Sequence, residues 1–296
     1  ESEFCRVMIE IINEVRDPLV VPQEEEYMMV MIEDTQRPPS LLEKKQVLNQ
    51  KLKSLDDEIE ALENEKEALI DRSEYHEALQ VKQKMDELLN QANALEEQLE
   101  SVDTQVKNLL VRSLLLTLEM LRNSKQGEIA AEVSELIQTL IYPALKYSEN
   151  SIQALAIECL GVFCLLKASF CKEYLYMFKI ILEKKQDTML EYTALKLVMD
   201  FFMLFDFLKE DSLEESDEML VTGDCLLERL LDYLESPDPH IRTLVAEGLC
   251  KMIMLERIKN VPPYLARLLM FFFDPESPTP LKQALLMFFT HYSLLT

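Results

Sequence analysis

Glycine is nearly missing from this chain: four residues in 296, with no tryptophan at all. So few glycines leave little room for a nucleotide-cradling loop, and neither a GxGxxG turn nor a Walker-type phosphate loop occurs. No GxSxG elbow or HExxH pair is found either, so the common hydrolase and zinc-protease signatures are excluded. The three histidines, His76, His240 and His291, lie far apart without ligand spacing. The six cysteines (Cys5, Cys159, Cys164, Cys171, Cys225, Cys250) form no CxxC pair. Most sit on apolar helical faces and read as buried free thiols of a reducing compartment, the cytosol or nucleus. There is no signal peptide and no apolar run of about 18 residues, so no membrane span is expected. Strand-like alternation is scarce. Acid pairs are plentiful but fall on solvated helical faces. These absences exclude most catalytic, metal and cofactor chemistry, and the chain reads as a non-enzyme without metal, cofactor or small-molecule substrate.

What is present is helical periodicity. Residues 225–256 form two amphipathic helices: the first carries Leu226, Leu227, Leu230, Leu231 and Leu234, and Ser236-Pro237-Asp238-Pro239 ends it. The second opens at His240-Ile241-Arg242 and repeats apolar residues through Ile253, with Ala246 and Gly248 where a neighbouring helix must come close. The layout resembles a HEAT repeat. Degenerate copies open at Ile152-Gln153, Leu190-Glu191 and Leu281-Lys282, at steps near the roughly 40 residues of such arrays. The acidic segment 209–224 lengthens one step. One helix pair cannot bury its own apolar face, so the copies are expected to stack. The fold class is therefore all-α, a HEAT-repeat α-solenoid.

A different pattern occupies residues 40–102. Apolar residues recur at steps of three and four from Leu48 to Leu69, with Lys66 in register, and again from Ala78 to Val102. Two such seams around a polar break near Ser73 predict an antiparallel coiled-coil hairpin, with Ser40 as its N-cap. Residues 1–39 then read as the end of an upstream repeat plus an acidic linker, and 103–296 as the repeat array with its acidic insert at 209–224. The chain begins at Glu1 and ends within an apolar helix, which is expected of a piece of a longer array.

The formal net charge is −24. It is concentrated in 1–39, in the hairpin (16 acids, 8 bases) and in the insert (7 acids, 1 base), while the repeats are almost balanced. A local basic surface on the repeats thus remains open. Its candidates for phosphate contact are Lys184, Lys185, Lys196, Arg242 and Lys251. Arg242 has a structural alternative, pairing with Asp238 or with an acid of the neighbouring repeat. Phe201 and Phe205 are candidate pockets for a bound peptide, or core. Ser236-Pro237, Ser277-Pro278 and Thr279-Pro280 read as proline-directed phosphorylation sites or, more simply, as turn and capping chemistry.

Taken in order, the segments 8–20 (MIEIINEVRDPLV), 71–88 (DRSEYHEALQVKQKMDEL), 155–166 (LAIECLGVFCLL), 240–258 (HIRTLVAEGLCKMIMLERI) and 264–275 (YLARLLMFFFDP) resemble the G subunit of the condensin complex, over its middle portion. The resemblance implies a non-catalytic subunit that binds the complex's kleisin and, with it, double-stranded DNA, the ATPase residing in SMC subunits contacted only indirectly. It also implies work in mitotic chromosome condensation, in nucleus and cytoplasm and on mitotic chromosomes. The competing readings are a HEAT-repeat scaffold or transport receptor that holds no DNA, and a tether whose hairpin dimerises.

Overall fold

The structure is a computed structural model that describes residues 2–19, 40–124, 131–184, 187–205 and 223–295. Every regular element among them is helical. The acidic stretch 209–222, the segment 23–37 and Lys185 lie outside the described residues.

Helix α1 (Ser2–Arg16) leads into a short 3-10 turn at Asp17–Leu19. Its apolar residues divide: Ile9 and Ile12 are buried, whereas Phe4, Val7 and Ile11 are exposed. Helices α2 (Leu41–Asp71) and α3 (Tyr75–Arg122) follow. Ser40 starts α2 with a reciprocal capping box, its Oγ accepting from Glu43 N at 3.2 Å while Ser40 N donates to Glu43 Oε2 at 2.8 Å. The helix ends in a Schellman turn: Glu74 N bonds Leu69 O, Ser73 N bonds Ile70 O, and Ser73 takes the left-handed φ of 63° that glycine ordinarily supplies. The chain reverses there, and Lys45 near the start of α2 pairs with Asp103 far along α3, so the two helices run antiparallel. Between residues 49 and 101, the less exposed side chains are Leu52, Leu55, Ile59, Leu62, Lys66 and Leu69 of α2 and Ala78, Val81, Met85, Leu88, Ala92, Leu95 and Leu99 of α3. This is a two-stranded seam at steps of three and four, with every other side chain of that span facing solvent.

The chain divides into two compact units, Glu10–Ser113 with the hairpin, and Glu1–Ile9 with Leu114–Thr296. Among the described residues the second holds four helix pairs. The first member of pair one is α4 (Ala131–Leu136), a π-helical turn (Ile137–Ile141) and α5 (Tyr142–Leu145) in sequence. Pro143 has no N–H for the α-helical ladder, and the widened turn just before it is a standard accommodation. Its second member is α6 (Asn150–Leu166). The other pairs are α7 (Ala168–Lys184) with α8 (Thr188–Leu204), α9 (Gly223–Tyr233) with α10 (Pro239–Met254), and α11 (Pro262–Phe273) with α12 (Thr279–Leu295).

The four copies share one register. Ile152, Leu190, Ile241 and Leu281 are each the third residue of a second helix, and all are buried. Four positions on, Ala156, Ala194, Val245 and Leu285 have no exposed surface. Successive second helices touch closely: a Cβ on Gly161 would lie 2.8 Å from Leu197 Cγ, and one on Gly248 would overlap the Met199 thioether. First helices are linked differently. Tyr233 Oη donates to Leu182 O at 2.8 Å, Arg229 lies 3.7 Å from Glu183, and Arg267 pairs with Glu235. Buried aromatics contribute in both directions: Phe178 meets Phe201 within the second pair, centroids 5.1 Å apart, and Phe163 meets Tyr174 between the first pair and the second, 6.5 Å apart.

Candidate functional site: a groove across the second helices

The solvent-facing positions of the second helices follow from the register. Six and ten residues after its start, counted from the aligned third residue, each helix presents the ridge away from the core. In α8 these are Lys196 and Asp200, in α10 Glu247 and Lys251, in α12 Met287 and His291. Lys196 and Lys251 are exposed, and Asp200 sits between them, half-buried. Burial raises the Asp200 carboxyl above the usual aspartate range, and the two lysine charges pull it partly back. Along this ridge each lysine therefore has an acidic neighbour. The two cations come together, but around a carboxylate rather than as a basic patch.

Beside them lies an open groove of about 560 Å³ that crosses α8, α10 and α12. Met203, Met254, Met287 and Phe288 line its floor, and Glu247, Lys251 and His291 stand at its rim. Unbranched thioethers repack around different shapes, so this floor is adaptable rather than a rigid pocket. Met254, Leu255 and Met287 stay more than one-third exposed here, an apolar surface that the array itself does not cover.

The other sequence candidates lie elsewhere. Lys184 lines a separate cleft of about 270 Å³ with Gln153, Asp187 and Leu190. Of its two readings, pocket or core, Phe201 takes the second: it is 1% exposed, its ring taken up in the core, and Met203 two residues on lines the groove. Phe205 is half-buried at the C-terminal end of α8. Arg242 does not pair with Asp238: the Asp238 carboxylate caps α10 by accepting from His240 N at 2.8 Å. The Arg242 Nε is buried without a hydrogen-bond partner, and the side chain makes no ion pair among the described residues. Ser236 Oγ accepts from Asp238 N at 3.3 Å, and Ser277 is buried against Asp274, as turn chemistry requires. Burial pushes the thiols of Cys171 and Cys250 up to about 12, so both stay protonated. Among the described residues there is no group of three or more acids, histidines and cysteines that could hold a metal ion, and no helix is long and apolar enough to cross a membrane.

The groove could not be found from the periodicity that revealed the helices. Methionines at 203, 254 and 287 read as core spacing, and only the stacking shows that these three turn outward together.

Comparison with known proteins adds a family to this geometry. Residues 112–296 match the family described as nuclear condensing complex subunits, C-terminal domain (Cnd3). The chain is 24% identical over 339 residues to condensin complex subunit 3 of Xenopus laevis, an alignment covering 98% of this chain and 31% of that protein. It is 26% identical over 318 residues to condensin complex subunit 3 of Homo sapiens, covering 98% and 30%. The chain thus spans about a third of the length of these relatives. Among solved structures, the S. pombe condensin Cnd3-Cnd2 subcomplex aligns with a TM-score of 0.55 and 18% identity over 95% of this chain and 38% of that one, a likeness of fold.

Proposed function

The chain belongs to the family of nuclear condensing complex subunits, and from that premise we propose that it is part of a non-catalytic condensin subunit that seats a kleisin segment in the groove across α8, α10 and α12. The observation that carries the reading is the groove itself, a methionine-floored apolar trough with a charged rim on stacked second helices. The Cnd2 chain in the S. pombe subcomplex supports a kleisin as occupant. A solenoid offers a long surface to an extended chain that orders on binding. In this proposal the subunit is the G subunit of its complex, works on chromosomes in the nucleus with a cytoplasmic pool, and meets the SMC ATPases only through its partners. The assembled pair holds double-stranded DNA through backbone phosphates, without reading sequence.

The test is co-purification with condensin kleisin fragments. Replacing Met254 and Met287 by glutamate should abolish kleisin association while leaving the helical circular dichroism spectrum unchanged. Retention of the kleisin by this double variant would move the site off the groove.

One observation favours a second reading, a scaffold that binds kleisin but not DNA over this portion: Asp200 and Glu247 compensate Lys196 and Lys251 on the exposed ridge. A pair that forms but shifts no DNA at low salt would decide for it.

A further inference from the structure

The hairpin has two unlike faces, and we propose that one of them is a docking surface for a basic amphipathic helix of a partner protein. In an antiparallel pair, residues one position after the seam on either helix share a face, and those one position before it share the opposite face. The structure bears the rule out on the second face, where Val47, Gln98 and Ser101, each one before a seam residue, line a common groove.

On the first face lie Ile70 of α2 and Tyr75, Leu79 and Leu89 of α3: Ile70, Leu79 and Leu89 come one position after a seam residue, and Tyr75, the first residue of α3, lies one helical turn before Leu79. Their exposures are 44%, 67%, 54% and 52%. Three of the four cluster at the reversal around Ser73. Large apolar side chains this exposed on an otherwise polar coiled coil form an uncovered strip. The same face carries seven acids against two lysines, Lys53 and Lys82, while the opposite face carries four against two. Glu60, Glu63, Glu67 and Asp86 flank the strip and make no ion pair among the described residues.

Charge complementarity selects the occupant. An apolar strip edged by unpaired carboxylates fits a helix with leucine-like anchors at helical spacing and lysine or arginine beside them. A second copy of this chain is disfavoured, because an isologous pairing would set the acidic face against itself. Nucleic acid and anionic membrane surfaces are repelled by the same field.

The probe is a fluorescein-labelled synthetic peptide of leucine and lysine at helical spacing, with a leucine and glutamate counterpart, titrated against the whole 296-residue chain at physiological salt and read by anisotropy. The lysine peptide should bind and the glutamate peptide should not. Tyr75→Ser with Leu79→Ser, which keeps every charge, should weaken binding about tenfold or more. Val47→Ser, on the opposite face, should leave it unchanged. Glu60→Gln, Glu63→Gln and Glu67→Gln together should weaken it and flatten its salt dependence. Circular dichroism checks that each variant keeps its helix content. Equal binding by the Tyr75/Leu79 variant would reduce the effect to bulk charge attraction and overturn the proposal. So would equal binding of the glutamate peptide, or sedimentation showing a dimer that this variant abolishes.

Discussion

Among the described residues, two hold a conformation for which the sequence supplied no glycine. Ser73 has φ 63° and Glu256 has φ 56°. Both occupy the left-handed position of a Schellman turn: Glu256 N bonds Ile253 O and Arg257 N bonds Met252 O, the same pattern as at Ser73. A side chain costs about 1–2 kcal/mol in this conformation, and glycine returns part of that as unfolded-chain entropy. Ser73→Gly and Glu256→Gly should each stabilise by about 0.5–1 kcal/mol, read as a higher thermal midpoint, if strain relief outweighs entropy. Glycine at Arg72, where φ is −84°, should lower it instead. The glycines that are present serve packing. Gly161→Ala gains about 1 kcal/mol of helix propensity but drives a methyl into the branched Leu197, and overpacking of this kind costs about 1–3 kcal/mol. At Gly248 the obstructing atoms belong to the flexible Met199, so alanine there should be the milder change.

Helices were legible in the sequence to different depths. The hairpin could be read residue by residue, because a two-stranded seam has one partner and one period: even Lys66, a charged residue in an apolar register, is shielded where the spacing puts it. The repeat register was also legible, because each second helix begins with the same third-residue anchor. The outward-facing groove was not, since a methionine at helical spacing looks the same whether the next helix covers it or not. Phe201 shows the converse ambiguity, an aromatic whose spacing reads as pocket or core and which the core absorbs. Arg242 shows a third: Asp238 was equally suited to cap α10 or to receive the guanidinium, and the nearer backbone N–H of His240 took it. At the hairpin base, the hydrogen bond from Lys45, helped by Lys107, holds the Asp103 carboxyl below its usual range, against a desolvation that raises it. A depressed carboxylate stabilises fully above its unfolded value and loses that contribution as pH falls through the folded one. The base should therefore loosen only in acid, below about pH 4. Asp103→Asn should speed amide exchange around residues 41–48 at pH 7, and the difference from wild type should vanish in acid.

For the whole molecule, charge sets what can approach. The chain carries −24, and its exposed lysines on the second-helix ridge stand beside acids. Alone it should hold DNA weakly, since few phosphates can be neutralised against that field. With a basic kleisin segment bound, affinity should rise and its salt dependence steepen, as a gel shift across a salt series would record. Neutralising Lys184, Lys185 and Lys196 should weaken DNA binding of the pair and spare kleisin association. Asp200→Asn, which releases Lys196 and Lys251 from their shared carboxylate, should strengthen it. An unchanged shift with Asp200→Asn would mean that this ridge does not meet DNA.

The two kinds of contact between neighbouring pairs have a mechanical consequence. On the second-helix side, backbones are brought together at Gly161 and Gly248, and separating them sacrifices close packing. On the first-helix side, the exposed pairs Arg229 with Glu183 and Arg267 with Glu235 are worth little and re-form readily in water. At the joint between the second and third pairs, where both kinds of contact meet, the second-helix edge is thus the pin, and opening the first-helix side gives up the Tyr233 to Leu182 hydrogen bond and an exposed ion pair. Under tension the array should yield by fanning open along its first helices, like the back of a book, while the distances between Met203, Met254 and Met287 hold nearly constant. A segment seated in that groove would ride on the least deformable line of a bending spring, and would keep its grip while the subunit flexes.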